Sequence, residues 1–316
     1  MCSSDLDDVA IEKAYGAEDV YLMPFYICEV AVARRLMLLS TMVGKDLPLL
    51  QGDIDAIEVR TGVKMAKRQR EALEKAATSG VLVVTGGPGT GKTTIVKSLV
   101  DFFQRQKLTV ALAAPTGRAA KRMAEATGDE AKTLHRLLEY KAYEQGGMAF
   151  GRDSDNLLEE DVIIVDETSM VDIVLMHHLL AAIKPGARLV LVGDQDQLPS
   201  VGAGCVLGEI IKSCRIPVVV LDEIFRQAKE SMIVVNAHRI NQGDFPYLNV
   251  KNKDFFFEQT SESEEMVNTI AELVKTRLPR YQGYDPLEDI QVITPMRKGS
   301  IGVMNLNQRL QQELNP

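Results

Sequence analysis

The sequence predicts an α/β fold, a parallel sheet flanked by helices, with a small N-terminal helical segment ahead of it and a partial second sheet unit after it. Three observations carry this. Short β-branched runs recur at Val81–Thr85, Thr109–Ala113, Val162–Val165, Leu189–Val192 and Val218–Leu221. Apart from the terminal Thr85 and Thr109 each run is apolar, the pattern of a strand buried on both faces. Helical periodicity fills most of the gaps between them, as at Lys67–Ala77 and Thr93–Gln104.

Residues 1–62 contain no β-rich run; Ala10–Ala14 and Ile27–Leu39 show helical spacing, so this segment is expected to be helical. The main sheet is expected over 63–215, with a β-hairpin inserted at about 139–157, where Glu139–Gly151 alternates around Gly146-Gly147. Residues 216–316 are expected to begin a second, incomplete domain, with strands at Phe255–Glu258 and Ile290–Thr294 and helices near Glu264–Leu278 and Val303–Leu314.

Composition narrows the function classes. With 46% apolar and 25% charged residues over 316 positions, the chain can bury a sizeable core. No apolar run is long enough to span a bilayer, and the acidic start, Met1 to Asp8, shows no secretory leader. Cys2, Cys28, Cys205 and Cys214 form no CxxC pair, which suits reduced thiols in a cytoplasmic protein. The net charge of −8 argues mildly against nucleic acid, but phosphate contacts depend on local patches. Such patches occur at Lys64/Lys67/Arg68/Arg70, Arg118/Lys121/Arg122 and Arg297/Lys298; each taken alone suits a solvated face. His177, His178 and His238 suit packing or surface positions, since no ligand partner sits at metal spacing.

The chemistry lies at the strand ends. Gly86-Gly-Pro-Gly-Thr-Gly91-Lys92-Thr93-Thr94 matches G-x-x-x-x-G-K-[ST], with a β-branched strand before it and a helix after it. The backbone N–H groups of Gly87, Gly89, Thr90 and Gly91 and of the helix start at Lys92–Thr94 can cradle phosphates, with Pro88 contributing only to the turn. Lys92 is placed to reach the β- and γ-phosphates of ATP, and the Thr93 hydroxyl to ligate Mg²⁺. Val162–Val165 runs into Asp166-Glu167, so Asp166 is expected to hold Mg²⁺ and Glu167 to polarise the attacking water.

Further landmarks follow in order: Asp166–Asp172, Leu191–Gly202 with Gly193-Asp-Gln-Asp-Gln197, Leu221–Gln227 with Phe225-Arg-Gln227, and Asn236–Asn241. This series resembles superfamily 1 helicases, and within them the RecD-like DNA helicases, over roughly residues 65–316. The resemblance implies a P-loop NTPase of the RecA-like type, ATP and Mg²⁺ as cofactors, and 5′ to 3′ movement on single-stranded DNA in repair or recombination. Single strands and duplex forks would be its partners, with no membrane, as a monomer or within a larger complex. It assigns Gln69 to the adenine edge, and Pro115, Thr116 and Arg118 with Thr133 and His135 to the DNA strand. Gln197 would link the γ-phosphate to the DNA surface, and Arg226 would be an arginine finger from the second motor domain. The hairpin would act as a pin at the fork, with Tyr143 and Phe150 able to stack on bases. The pattern's later motifs, including a second arginine, are absent, so an incomplete product with an open sheet edge and exposed apolar surface is expected.

Two alternatives accompany this reading. One is a fragment that binds ATP and single-stranded DNA without unwinding. The other is a P-loop ATPase of another class, such as a clamp-loader-like factor, against which Gly193–Gln197 and Phe225–Gln227 argue.

Overall fold

A computed structural model of the chain describes residues 8–14, 17–42, 46–49, 51–62, 64–142, 147–223 and 230–315. The chain divides into two compact units, Met1–Pro246 and Tyr247–Pro316.

The first unit opens differently from the sequence expectation. Strands β1 (Val9–Ala14) and β2 (Ala17–Leu22) form an antiparallel hairpin, with Val9 opposite Leu22 and Ala14 opposite Ala17. Five residues cannot distinguish helical from strand periodicity, and the β-branched Val9, Ile11 and Val20 tip the balance toward the extended form. Helix α1 (Met23–Thr41) follows, with Pro24 in its first turn, where the missing N–H costs nothing. Helices α2 (Gln51–Thr61) and α3 (Lys67–Thr78) precede the sheet.

The sheet comprises β3 (Val81–Gly86), β4 (Val110–Ala114), β5 (Ala131–Thr133), β8 (Val162–Val165), β9 (Arg188–Gly193) and β10 (Val218–Leu221). Its order is β10-β3-β9-β8-β4-β5, and every pairing is parallel. Between these strands lie α4 (Lys92–Arg105), α5 (Gly117–Thr127), α6 (Leu134–Leu137), α7 (Ile173–Ala182) and α8 (Val206–Ser213). The hairpin β6 (Lys141–Ala142) and β7 (Met148–Ala149) sits between β5 and β8.

Alternate residues of each central strand enter opposite cores. Val81, Val83, Ile163, Val165, Leu189 and Leu191 pack with Val32, Leu36 and Leu39 of α1 and Met176, Leu179 and Leu180 of α7. Leu82, Val84, Ile164, Val190 and Val192 pack with Leu73 of α3 and Ile95, Leu99, Phe102 and Phe103 of α4. Burial of each large side chain contributes about 1.5–3 kcal/mol, so both faces must be covered for this sheet to persist.

The expected domain boundary at 215/216 moves. Strand β10 hydrogen-bonds in register with β3, Val218 beside Val83 and Leu221 beside Gly86, so it completes the first sheet. Helix α9 (Met232–Asn241) also belongs to the first unit.

In the second unit, α10 (Ser263–Glu272) continues through a π turn (Leu273–Arg277) into α11 (Leu278–Gln282), and α12 spans Val303–Leu314. Val267, Ala271, Val274 and Leu306 form its small buried centre. Neither Phe255–Glu258 nor Ile290–Thr294 becomes a strand. A strand needs a neighbour for its backbone groups. Among the described residues of this unit, Phe257 finds instead the Asn249 side chain, whose Oδ1 accepts from its N–H (2.8 Å) and whose Nδ2 donates to its carbonyl (3.0 Å). No described helix is long and apolar enough to cross a membrane.

Arg188 ties sheet to helix. Buried on β9, its Nη1 donates to the carbonyls of Ser79 (2.8 Å) and Ala76 (3.3 Å) at the end of α3. Arg188→Ala removes charge-assisted bonds from two carbonyls, and is expected to lower the free energy of urea unfolding by about 2–4 kcal/mol. A loss under about 0.5 kcal/mol would show that water or neighbouring groups replace the guanidinium.

Candidate functional site

Six parallel strands end at one edge of the sheet, the edge where α/β proteins gather ligands. After β3 the chain makes the phosphate-loop turn. Gly89 (φ 74°) and Gly91 (φ 83°) take left-handed conformations that side chains resist, and Gly91 directs the chain into α4. A Cβ at Gly86 would lie 2.6 Å from Thr90 Oγ1 and 2.8 Å from the Leu221 carbonyl, so the turn has no room for one. The buried Thr90 hydroxyl donates to the Gly87 carbonyl (2.8 Å). Lys92 donates to the carbonyls of Gly86 and Gly87, and its Nζ lies 4.0 Å from Asp194 Oδ2.

A cleft of about 870 Å³ runs from this turn, lined by Gly87 to Thr93, Asp166, Glu167 and Gln197, and on its α5 side by Ala119, Arg122, Met123 and Ala126. Asp166 follows β8 directly; its Oδ1 accepts the Glu167 N–H (2.8 Å). Burial pushes the Asp166 carboxyl up from the usual range, against the Glu167 N–H bond and the charges of Lys92 and Arg122. Glu167 is also raised, by burial and then by the Asp166 charge. Its backbone is left-handed (φ 52°, ψ 40°), a conformation that costs a non-glycine residue roughly 1–2 kcal/mol and aims the side chain into the cleft. Two desolvated carboxylates beside one lysine form a site that a divalent cation would stabilise, and the exposed Thr93 hydroxyl supplies a further oxygen.

The other strand ends are tied to this cleft. Ser169, just past Glu167, donates to Gln197 Oε1 (3.4 Å), and the Gln195 N–H donates to Thr85 Oγ1 on β3 (3.1 Å). Gln69 is buried beside the phosphate loop: Oε1 accepts the Ala66 N–H (3.0 Å) and Nε2 donates to the Gly91 carbonyl (3.5 Å). A contact with a base edge requires one of these bonds to open.

Pro115 and Thr116 follow β4, and Thr133 ends β5, whose register sets Ala114 beside Thr133. Both threonines cap helices: Thr116 Oγ1 accepts the Ala119 N–H (3.2 Å), and Thr133 Oγ1 accepts the Arg136 N–H (3.2 Å). Capping uses an acceptor lone pair and leaves each O–H able to donate to a phosphate oxygen. Arg118 and His135 are exposed at the same edge. Thus the structure brings the 115–118 and 133–135 segments together.

The hairpin forms where expected, but its 143–146 segment, with Tyr143, lies outside the described residues, as does Arg226. Phe150 departs from expectation. Its ring packs 4.7 Å from Tyr140 and 4.3 Å from His178, against the core, so it anchors the hairpin's root and is not available to stack on bases.

Three residues of the site carried no role in the sequence reading. Asp194 is buried beside Lys92. His238 of α9 places Nε2 3.4 Å from the Pro88 carbonyl, and a Cβ at Gly87 would come within 2.8 Å of its ring. Arg122 lines the cleft; the legible signal was Ala119, Arg122, Met123 and Ala126 at i, i+3, i+4 and i+7, a helix stripe holding one cation. Two of the four cations in the basic cluster before β3 are held in ion pairs, Arg68 on Glu71 (2.8 Å) and Arg70 on Glu58 (2.9 Å).

A family model described as an AAA domain matches residues 64–260, more than half of the chain. The ATP-dependent RecD2 DNA helicase of Deinococcus radiodurans is 38% identical over 253 residues, covering 80% of this chain and 33% of that protein. The RecBCD enzyme subunit RecD of Mycobacterium tuberculosis is 48% identical over 166 residues, covering 45% of this chain and 28% of that protein. The chain thus spans about a third of the curated relatives it matches. A crystal structure of Pif1 helicase from Candida albicans superposes with a TM-score of 0.43 at 22% identity, over 67% of this chain and 54% of that one, too loosely to argue from. The matched residues include the phosphate loop, the acidic pair and the two threonine-capped strand ends, and the chain belongs to the AAA-domain family, in its RecD-like superfamily 1 group.

Proposed function

We propose that this chain is the nucleotide-hydrolysing part of an ATP-dependent DNA helicase or translocase. The observation that carries this reading is a single sheet edge holding both the cleft of Lys92, Asp166, Glu167 and Gln197 and the paired strand ends of Thr116 and Thr133. Lys92 exchanges the Gly86 and Gly87 carbonyls for the β- and γ-phosphates, while Thr93 and Asp166 hold Mg²⁺ and Gln69 reads the adenine edge. Mg²⁺ supplies charge neutralisation on the phosphate oxygens. Glu167 takes the proton of the attacking water, and its raised affinity for protons suits a general base. Gln197, bonded to Ser169, links hydrolysis to the edge where Pro115, Thr116, Arg118, Thr133 and His135 hold the DNA backbone.

Arg226 as an arginine finger, movement 5′ to 3′, and work in repair or recombination follow from the resemblance to the RecD-like group. A relative named as a subunit of the RecBCD enzyme supports a larger complex as one setting. Such work fits a cytoplasmic protein.

The test is ATP turnover with and without single-stranded DNA, run beside unwinding of a forked duplex. DNA-stimulated turnover is expected, and Thr116→Ala with Thr133→Ala is expected to weaken that stimulation about tenfold or more by removing two phosphate donors. Turnover indifferent to DNA would sink the reading in favour of a P-loop ATPase of another class. A second reading, binding of ATP and single strands without unwinding, is favoured by the described residues 247–315, which form no second sheet. Stimulated turnover with no unwinding selects it.

A further inference from the structure

Helix α5 carries three cations, and they are not equivalent. Lys121 reaches Glu125 at 3.9 Å, and Arg118 has a partner of its own. Arg122 makes no hydrogen bond or ion pair among the described residues, although Glu125 lies only three positions further along the helix. Its side chain is exposed on the stripe that faces the cleft, opposite the phosphate loop. Asp166 and Glu167 line the same cleft, and Arg122 pairs with neither. An unpaired guanidinium between a phosphate cradle and two carboxylates leaves a place for an anion between them. The planar guanidinium fork suits phosphate oxygens, which it can bind through two N–H groups at once.

We propose that Arg122 grips the terminal phosphate of a bound nucleoside triphosphate from the α5 side of the cleft. This rests on the nucleotide reading of the cleft and adds to it a cation from the same chain, distinct from Lys92 and from Arg226. Position selects the terminal phosphate: Arg122 acts near Asp166 and Glu167, at the strand end where metal and water belong, whereas Gln69 lies at the other end of the phosphate loop. The helix supplies a consequence. Its N-cap is Thr116, one of the strand-gripping hydroxyls, and its C-cap is Gly128, so α5 is one rigid body with a phosphate contact on its flank and a DNA contact at its start. Loss of the terminal phosphate releases α5 and, with it, Thr116.

Binding of a fluorescent non-hydrolysable ATP analogue and of fluorescent ADP to the full chain, without DNA, tests this. Arg122→Ala is expected to weaken the triphosphate analogue about tenfold or more and ADP less than about threefold, the loss of one charge-assisted contact to one phosphate. Arg122→Gln, which preserves side-chain length and helix propensity, is expected to show the same split. Arg122→Lys should recover part of the triphosphate affinity. Equal weakening of both nucleotides, or no weakening of either, in the folded Gln variant overturns the proposal. Lys92→Ala keeps the two readings apart: if it still binds both nucleotides at parent affinity, the cleft assignment fails; if it loses both while the Arg122 variants bind normally, only the Arg122 contact fails.

Discussion

Lys92→Ala is expected to reduce ATP turnover by about 10²- to 10³-fold or more, the usual cost of removing a single donor aimed at developing charge. The structure gives the reason for so large an effect. Among the described lining of the cleft, Lys92 and Arg122 are the two cations, and only Lys92 rises from the phosphate loop itself. Its ammonium is held at the mouth of the loop by the Gly86 and Gly87 carbonyls, contacts that a phosphate would displace. Substitution leaves the two apolar cores untouched, so thermal unfolding should match the parent within a few degrees. Turnover above about a tenth of the parent rate would remove the phosphate loop as the catalytic site.

The second large effect is expected for Glu167→Gln, a fall in kcat of about 10²- to 10⁴-fold with nucleotide affinity retained. Glutamine keeps the shape and the strained left-handed turn but cannot accept a proton from water. Because burial and the neighbouring Asp166 already disfavour a second negative charge here, removing it should leave triphosphate binding unchanged or tighter. Single-turnover kinetics with a separate binding measurement resolve the two effects. An unchanged kcat would move the base to another group and reduce Glu167 to an electrostatic neighbour.

Both experiments bear on residues legible before any coordinates. Lys92 stands in a pattern that needs strand, turn and helix in fixed order, and Asp166-Glu167 ends a run of four β-branched residues. The positions whose part was misjudged or left unassigned differ in kind. Arg122 and His238 lie on helices whose amphipathic faces are visible, but a face does not announce what it confronts. Phe150 alternates correctly for a hairpin, yet only packing shows its ring turned inward onto Tyr140 and His178. Arg188 is a lone charge within a strand, and its purpose appears only when the carbonyls of Ala76 and Ser79 come into reach.

The amino-acid order by itself determined the central strands and their helices, because a strand buried on both faces is apolar at nearly every position, and the phosphate loop, because its turns require glycine at set places. Helix α12 was likewise predicted over its observed span, Val303–Leu314, by its apolar spacing. Tertiary structure decided the rest. It put β10 beside β3 instead of in a second domain, made β1 and β2 a hairpin, and left Phe255–Glu258 and Ile290–Thr294 without strand partners. Backbone pairing is a contact between segments far apart in the chain, and local sequence encodes a segment's capacity to pair without naming the segment that will meet it.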